Sequence, residues 1–181
     1  MNQENIHTEV RITGRLCKDH ILQFDEAVEK LFSKNSKVLS IIIDSPGGDA
    51  NVAIKISNHI NKLIDKGINV ITHGNKLVGS GALLIFLHGI RRTLDKFSFV
   101  VVDLPFKVYD KKLLLGYPET GQFLKQLIEE NNLIQLSRIE YAETISRITN
   151  QPIEIIYKLD DDGKRLTASE ALQLGFCQEI L

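Results

Sequence analysis

Two glycine-rich turns in this sequence carry residue types suited to oxyanion chemistry. The first is Asp44-Ser45-Pro46-Gly47-Gly48-Asp49. Glycines there let a ligand approach the backbone with no side chain in the way. A backbone N–H at a helix start is well placed to stabilise a developing negative charge. The second turn, Val78-Gly79-Ser80-Gly81-Ala82, sets a hydroxyl between glycines at the start of an apolar helical run. Each has a plainer reading. The first is an ordinary strand-to-helix turn. The second is a serine N-cap, whose oxygen accepts a backbone N–H.

The elements around these turns alternate. Val10 to Ile12 reads as a short strand ending at Gly14, and Ile21 to Phe32 as an amphipathic helix. Val38 to Ile43 is a nearly continuous apolar run, expected of a strand buried on both faces. Asn51 to Ile64 carries a clean apolar helical stripe closed by Gly67. Ile68 to Thr72 is a third strand, His73 to Val78 a loop, and Gly81 to Leu87 a buried helix. Phe97 to Val102 reads as a fourth strand and Thr120 to Ile148 as a long helix. Shorter helices follow from Ile153 and from Ala168, with a last strand over Phe176 to Ile180. A βαβα series predicts a largely parallel sheet with right-handed crossovers. The acidic run Asp160-Asp161-Asp162 reads as a solvated loop.

Composition narrows the function classes. The length of 181 residues suits one domain over residues 1–181. A formal net charge of -1 supplies no field toward nucleic acid or an anionic membrane, so neither is an expected partner. No stretch reaches the roughly 20 apolar residues of a membrane span, and the polar start has no signal-peptide pattern. A cytoplasmic protein is the expectation. Cys17 and Cys177 form no metal-ligand spacing, so no metal and no cofactor are expected.

Taken together, strand–SPGG–helix–strand–loop–GSGA–helix resembles the Clp protease proteolytic subunit, and more distantly signal-peptide peptidase A and the crotonases. Thr149-Asn150-Gln151 after the long helix is similar to the family's TGQ, and Leu166 to Phe176 resembles its last helix and strand. The resemblance implies a Clp-protease/crotonase-like α/β fold: stacked ββα units, a mostly parallel sheet and a protruding handle-like helix. It further implies a serine peptidase acting on peptides. Thr120 to Ile148 takes the place of the handle helix that joins rings, so a homo-oligomeric ring is expected. The family's N-terminal axial segment is short here, which does not support docking to an ATPase partner in the family's usual way.

Carried over residue by residue, the resemblance puts Gly79 at the catalytic serine's place, or Ser80 after a one-residue shift. The implied oxyanion donors are the N–H of Gly48 and that of Ser80 or Gly81. The family's histidine position holds Asp103, and its aspartate position holds Gly163, with Asp162 next to it. A carboxylate with a reference pKa of about 3.9 is a much poorer base than an imidazole at about 6.5. The expectation is therefore weak or absent peptidase activity. Two alternatives stay open. One is an active serine hydrolase in which His73, Lys76 or Lys107 serves as the base for Ser80. The other is a crotonase-type acyl-CoA enzyme with Asp103 in an acid/base role. His88, eight residues beyond Ser80 on one helix, stands roughly 12 Å along its axis and does not reach.

Overall fold

The computed structural model describes residues 7–105 and 117–181, with the side chains of 117–121, 123 and 124 outside the description. The alternation of apolar and polar residues builds strands β1 (His7–Thr13), β2 (Val38–Ser45) and β3 (Asn69–Gly79), which pair in parallel in that order. Along β1 every second side chain, Thr8, Val10 and Ile12, is buried. In β2 the buried set is Leu39, Ile41, Ile43 and Ser45, and the other face is half covered. Helix α1 (Asp19–Ser33) and helix α2 (Ala50–Asp65) make the crossovers. The Asp49 carboxylate caps α2 by accepting the Asn51 N–H at 2.9 Å.

Strand β3 runs further than its sequence suggests. Residues 73–78, read above as a loop, continue the strand to Gly79. A bulge accommodates the change: Ile43 pairs with Gly74, whereas Ser45 pairs with Val78. Lys76 takes the left-handed backbone at φ 58° inside it. Gly74 is required by packing, since a Cβ there would stand 2.4 Å from Leu94 Cδ2 and 2.7 Å from Val78 Cγ2. The strand serves two neighbours in succession. Its first part pairs in parallel with β4 (Arg91–Leu94) and its last three residues with β5 (Phe99–Val101).

Helix α3 (Ser80–Leu87) follows β3 directly, and Gly81 to Leu87 are all buried. An all-apolar helix of this kind belongs in the middle of a fold. The long helix α4 (Tyr117–Thr149) leads to α5 (Ile153–Asp162), β6 (Arg165–Thr167), α6 (Ala168–Gln173) and β7 (Glu179–Ile180). β7 extends the sheet beside β4, and β6 pairs antiparallel with β5. A capping box between Thr167 and Glu170 starts α6.

The acidic run is helix rather than loop, because α5 extends through Asp162. Asp160 is enclosed: one carboxylate oxygen accepts from Arg138 Nη2 at 2.6 Å, the other from the Leu104 N–H at 2.8 Å. With side chains only 25% and 9% exposed, Arg138 and Asp160 form a largely desolvated pair that ties α4 and α5 to the segment after β5. Asp160→Ala leaves Arg138 and the Leu104 N–H without their acceptor. The expected loss is about 3–5 kcal/mol in urea unfolding, the range for breaking one side of a buried pair. A loss below about 1 kcal/mol would show that water replaces the carboxylate.

Candidate active site

The two glycine-rich turns come together at the carboxyl ends of β2 and β3. Gly47 and Gly48 have φ of 98° and 151°, a backbone few side chains tolerate. The Gly47 N–H donates to Ser45 Oγ at 3.1 Å, and the Gly47 carbonyl accepts the Leu16 N–H at 2.8 Å. Leu16 in turn accepts the Asp49 N–H at 3.1 Å, so the segment after β1 clamps the turn from one side. The Gly48 N–H is left with no acceptor among the described residues.

Ser80 has φ 47°, a left-handed backbone that strains a non-glycine residue and clusters at functional sites. It opens α3 directly after Gly79, which offers no side-chain cap. The first N–H groups of a helix have no intrahelical acceptor, so the Gly81 N–H is free to bind a ligand. Gly47 lies against this turn: a Cβ on it would stand 2.5 Å from Ser80 Cβ and 3.0 Å from the Gly81 nitrogen.

A cavity of about 470 Å³ opens here. Ser80, Gly81, Gly47, Gly48 and Asp103 line it, so all four site residues expected from sequence, Ser80, Asp103, Gly48 and Gly81, share one space. Of the two residues weighed for the serine's place, Ser80 faces the cavity, whereas Gly79 is buried at the end of β3. The Asp103 carboxyl is pushed above the ordinary aspartate range by burial, with the Asp160 carboxylate adding and Arg138 opposing. Neither Asp162 nor Gly163 lines the cavity. Gly163 is instead the left-handed C-cap of α5, at φ 56°.

Of the substitute bases, the two among the described residues, His73 and Lys76, do not line the cavity. His73 lies inside β3, with Nδ1 at 2.8 Å from Thr93 Oγ1 and Nε2 at 3.1 Å from Asp95, away from the cavity. The alternative in which it serves as the base for Ser80 is corrected by its place in β3, where its ring is held by Thr93 and Asp95. Lys76 is exposed and stands 3.5 Å from Asp44. Lys107 lies outside the described residues. The remaining histidines are engaged elsewhere: His7 with Ser40, His20 with Thr13 and Cys17, His59 with Asp25, His88 with the Leu84 carbonyl. All five histidines of the chain are thereby placed, and none lines the cavity.

Sequence reasoning missed Arg15 and Tyr141, which also line the cavity. Arg15 follows a turn glycine, and Tyr141 sits in the long helix where an apolar residue fits equally well. Neither position carries a local signal of function.

No family model matches the chain. Among curated proteins it is 26% identical over 160 residues to the ATP-dependent Clp protease proteolytic subunit 1 of Chlamydia pneumoniae, covering 86% of this chain and 78% of that protein. The same subunit of Chlamydia caviae is 25% identical over the same shares. Among solved structures, ClpP1 from Listeria monocytogenes superposes with a TM-score of 0.74 over 96% of this chain and 90% of that one, at 20% identity. A point mutant of the same protein gives 0.78 over 96% and 91%, also at 20% identity. At that identity the structural likeness speaks for the fold, which is the Clp-protease α/β fold anticipated above.

Proposed function

Because this chain is ClpP-like in sequence and in fold, we propose that it is a serine-peptidase homologue in which Ser80 holds the nucleophile position and hydrolysis is weak or lost. The observation that carries this reading is the cavity itself. It brings a strained serine and two free backbone N–H groups together without an imidazole. Serine attack needs a base for the hydroxyl proton. Removing the histidine from a serine protease costs on the order of 10⁶ in kcat. Among the described residues, Asp103 is the one ionisable group on the cavity wall able to take the histidine's part. Its raised pKa makes it a better base than an ordinary aspartate, and this favours residual turnover as a second reading.

The same reading includes assembly. Helix α4 exposes Ile128, Leu133, Leu136 and Ile139, an apolar surface that a copy of the chain would cover in a ring. The test is fluorophosphonate labelling of wild type and Ser80→Ala, read by intact mass on material sized by light scattering. We expect an assembled protein with slow, single-site labelling that Ser80→Ala abolishes. A monomer at working concentration would remove the ring from the proposal. Labelling retained in Ser80→Ala would remove Ser80.

A further inference from the structure

The segment that carries Asp103 is held from outside the cavity. Burial alternates past the end of β5. Val102 and Leu104 are each 1% exposed, whereas Asp103 is half-buried and lines the cavity. Successive side chains of an extended chain point to opposite faces, so burying Val102 and Leu104 turns Asp103 the other way. Two residues from distant helices fix this segment. The Asp160 carboxylate, on α5, accepts the Leu104 N–H at 2.8 Å. Arg138, on α4, reaches the Pro105 carbonyl with Nη1 at 3.5 Å and the second Asp160 oxygen with Nη2 at 2.6 Å. One donor and one acceptor of the backbone just after Asp103 therefore both end on this pair.

The same pair acts on the carboxyl through space. Burial raises Asp103 above the ordinary aspartate range, the Asp160 carboxylate raises it further, and the Arg138 guanidinium lowers it. An anion beside a carboxyl favours its protonated form, and a cation favours the charged form. Asp160 and Arg138 are themselves largely sheltered from water, so salt screens them little. Among the described residues, Arg15 and Tyr141 are the other ionisable groups on the cavity wall. An activated nucleophile needs a base, and the base in turn a third group that holds it. Gly163, at the place of the family's aspartate, has no side chain to do so.

We propose that Asp160 and Arg138 are positioning residues for Asp103, fixing the backbone beside it and acting with opposite charges on its proton. The inference rests on the reading of Asp103 as the base available to Ser80 and adds what governs that base. A carboxyl serves as a base only when ionised, so whatever favours its protonated form moves its action to higher pH. Arg138→Gln removes the cation and leaves the Asp160 charge uncompensated, which should move ionisation of Asp103 to higher pH. Asp160→Asn removes the anion and leaves the Arg138 charge uncompensated, which should move it to lower pH. Arg138→Lys keeps the charge and should stay close to wild type. A purely structural role predicts otherwise: either substitution would loosen the segment, wet Asp103 and move both titrations downward.

The test is an infrared pH titration of the intact protein. Each variant is read against the same variant carrying Asp103→Asn, so the difference in the protonated-carboxyl band reports Asp103 and needs no turnover. The expected result is opposite movement of Arg138→Gln and Asp160→Asn about wild type, with Arg138→Lys close to wild type. Movement of both in one direction, movement of neither, or Arg138→Lys behaving as Arg138→Gln would overturn the proposal. In Arg138→Gln the Leu104 N–H keeps its acceptor, so this variant should fold. If Asp160→Asn does not fold, the two Arg138 variants decide: an upward shift in Gln but not in Lys supports the proposal, and any other pattern sinks it. The pH profile of Ser80 labelling is measured in parallel and should rank the variants in the same order. Labelling indifferent to Asp103→Asn, with titrations that move as expected, removes Asp103 as the base and leaves the positioning intact. Labelling lost in Asp103→Asn, with titrations that neither substitution moves, sinks the positioning alone.

Discussion

Gly47→Ala is expected to destabilise the protein by about 3 kcal/mol or more and to abolish Ser80 labelling. Two costs combine. At φ 98° an L-residue is strained before any contact is counted. The new Cβ would then stand 2.5 Å from Ser80 Cβ, 2.8 Å from the Gly79 carbonyl oxygen and 3.0 Å from the Gly81 nitrogen. These neighbours are backbone or the first atom of a side chain, so no rotamer change relieves the overlap. The turn that opens α3 has to shift, and it carries Ser80 with it. Gly67→Ala separates the two costs. Gly67 has φ 78° and nothing within 4 Å of an added Cβ, so it should lose only about 1–2 kcal/mol. Urea unfolding of both variants, with labelling measured on the folded fraction, makes the comparison. Equal losses would mean that Gly47 does not press on the Ser80 turn.

Asp103→His is expected to raise the rate of Ser80 labelling by about 10²-fold, the lower end of what a positioned general base contributes. Asp103 lines the same cavity as Ser80, and its carboxylate accepts no hydrogen bond from a described residue, so the exchange breaks no existing bond. The gain should vanish in the double variant with Ser80→Ala. It should be absent from Gly163→Asp alone, which adds an orienting carboxylate with no imidazole to orient. Gly163 has φ 56°, where aspartate is among the better-tolerated side chains, so that control should fold. A folded, assembled Asp103→His protein that labels no faster than wild type would show that position 103 does not reach the serine. The mapping of the family's histidine onto it would then be wrong.

Both predictions rest on turns that were legible in the sequence. SPGG and GSGA could be read because glycine and proline act locally. A positive φ or a missing Cβ is a property of the residue itself, whatever packs around it. The strand and helix periods of β2, α2 and α3 were legible for a related reason. Each buries one face, or all of its surface, against a core whose direction repeats along the chain. The resemblance to the Clp protease proteolytic subunit grew from the order of those same pieces, and the fold agrees with it.

What the sequence could not show lies where one segment takes its conformation from another. β4 and β6 have four and three residues, too few for a period. They are strands because β3 and β5 offer them open edges to pair with. Residues 73–78 looked like a loop, yet they are held extended by β2 on one side and by β4 and β5 on the other, around a bulge. That pairing also decided the chemistry, since an extended chain carries His73 away from Ser80 and toward Asp95. Asp160 looked solvated in its acidic run, and became buried only because Arg138 and the Leu104 N–H come to it from distant parts of the chain. Arg15 and Tyr141 follow the same rule. Two residues far apart in sequence line one cavity only once α4 has docked. The sequence by itself determined which backbone positions could bend around a ligand. Tertiary packing decided which charges and hydroxyls stand there, because burial and proximity are properties of the assembled layers and not of any one segment.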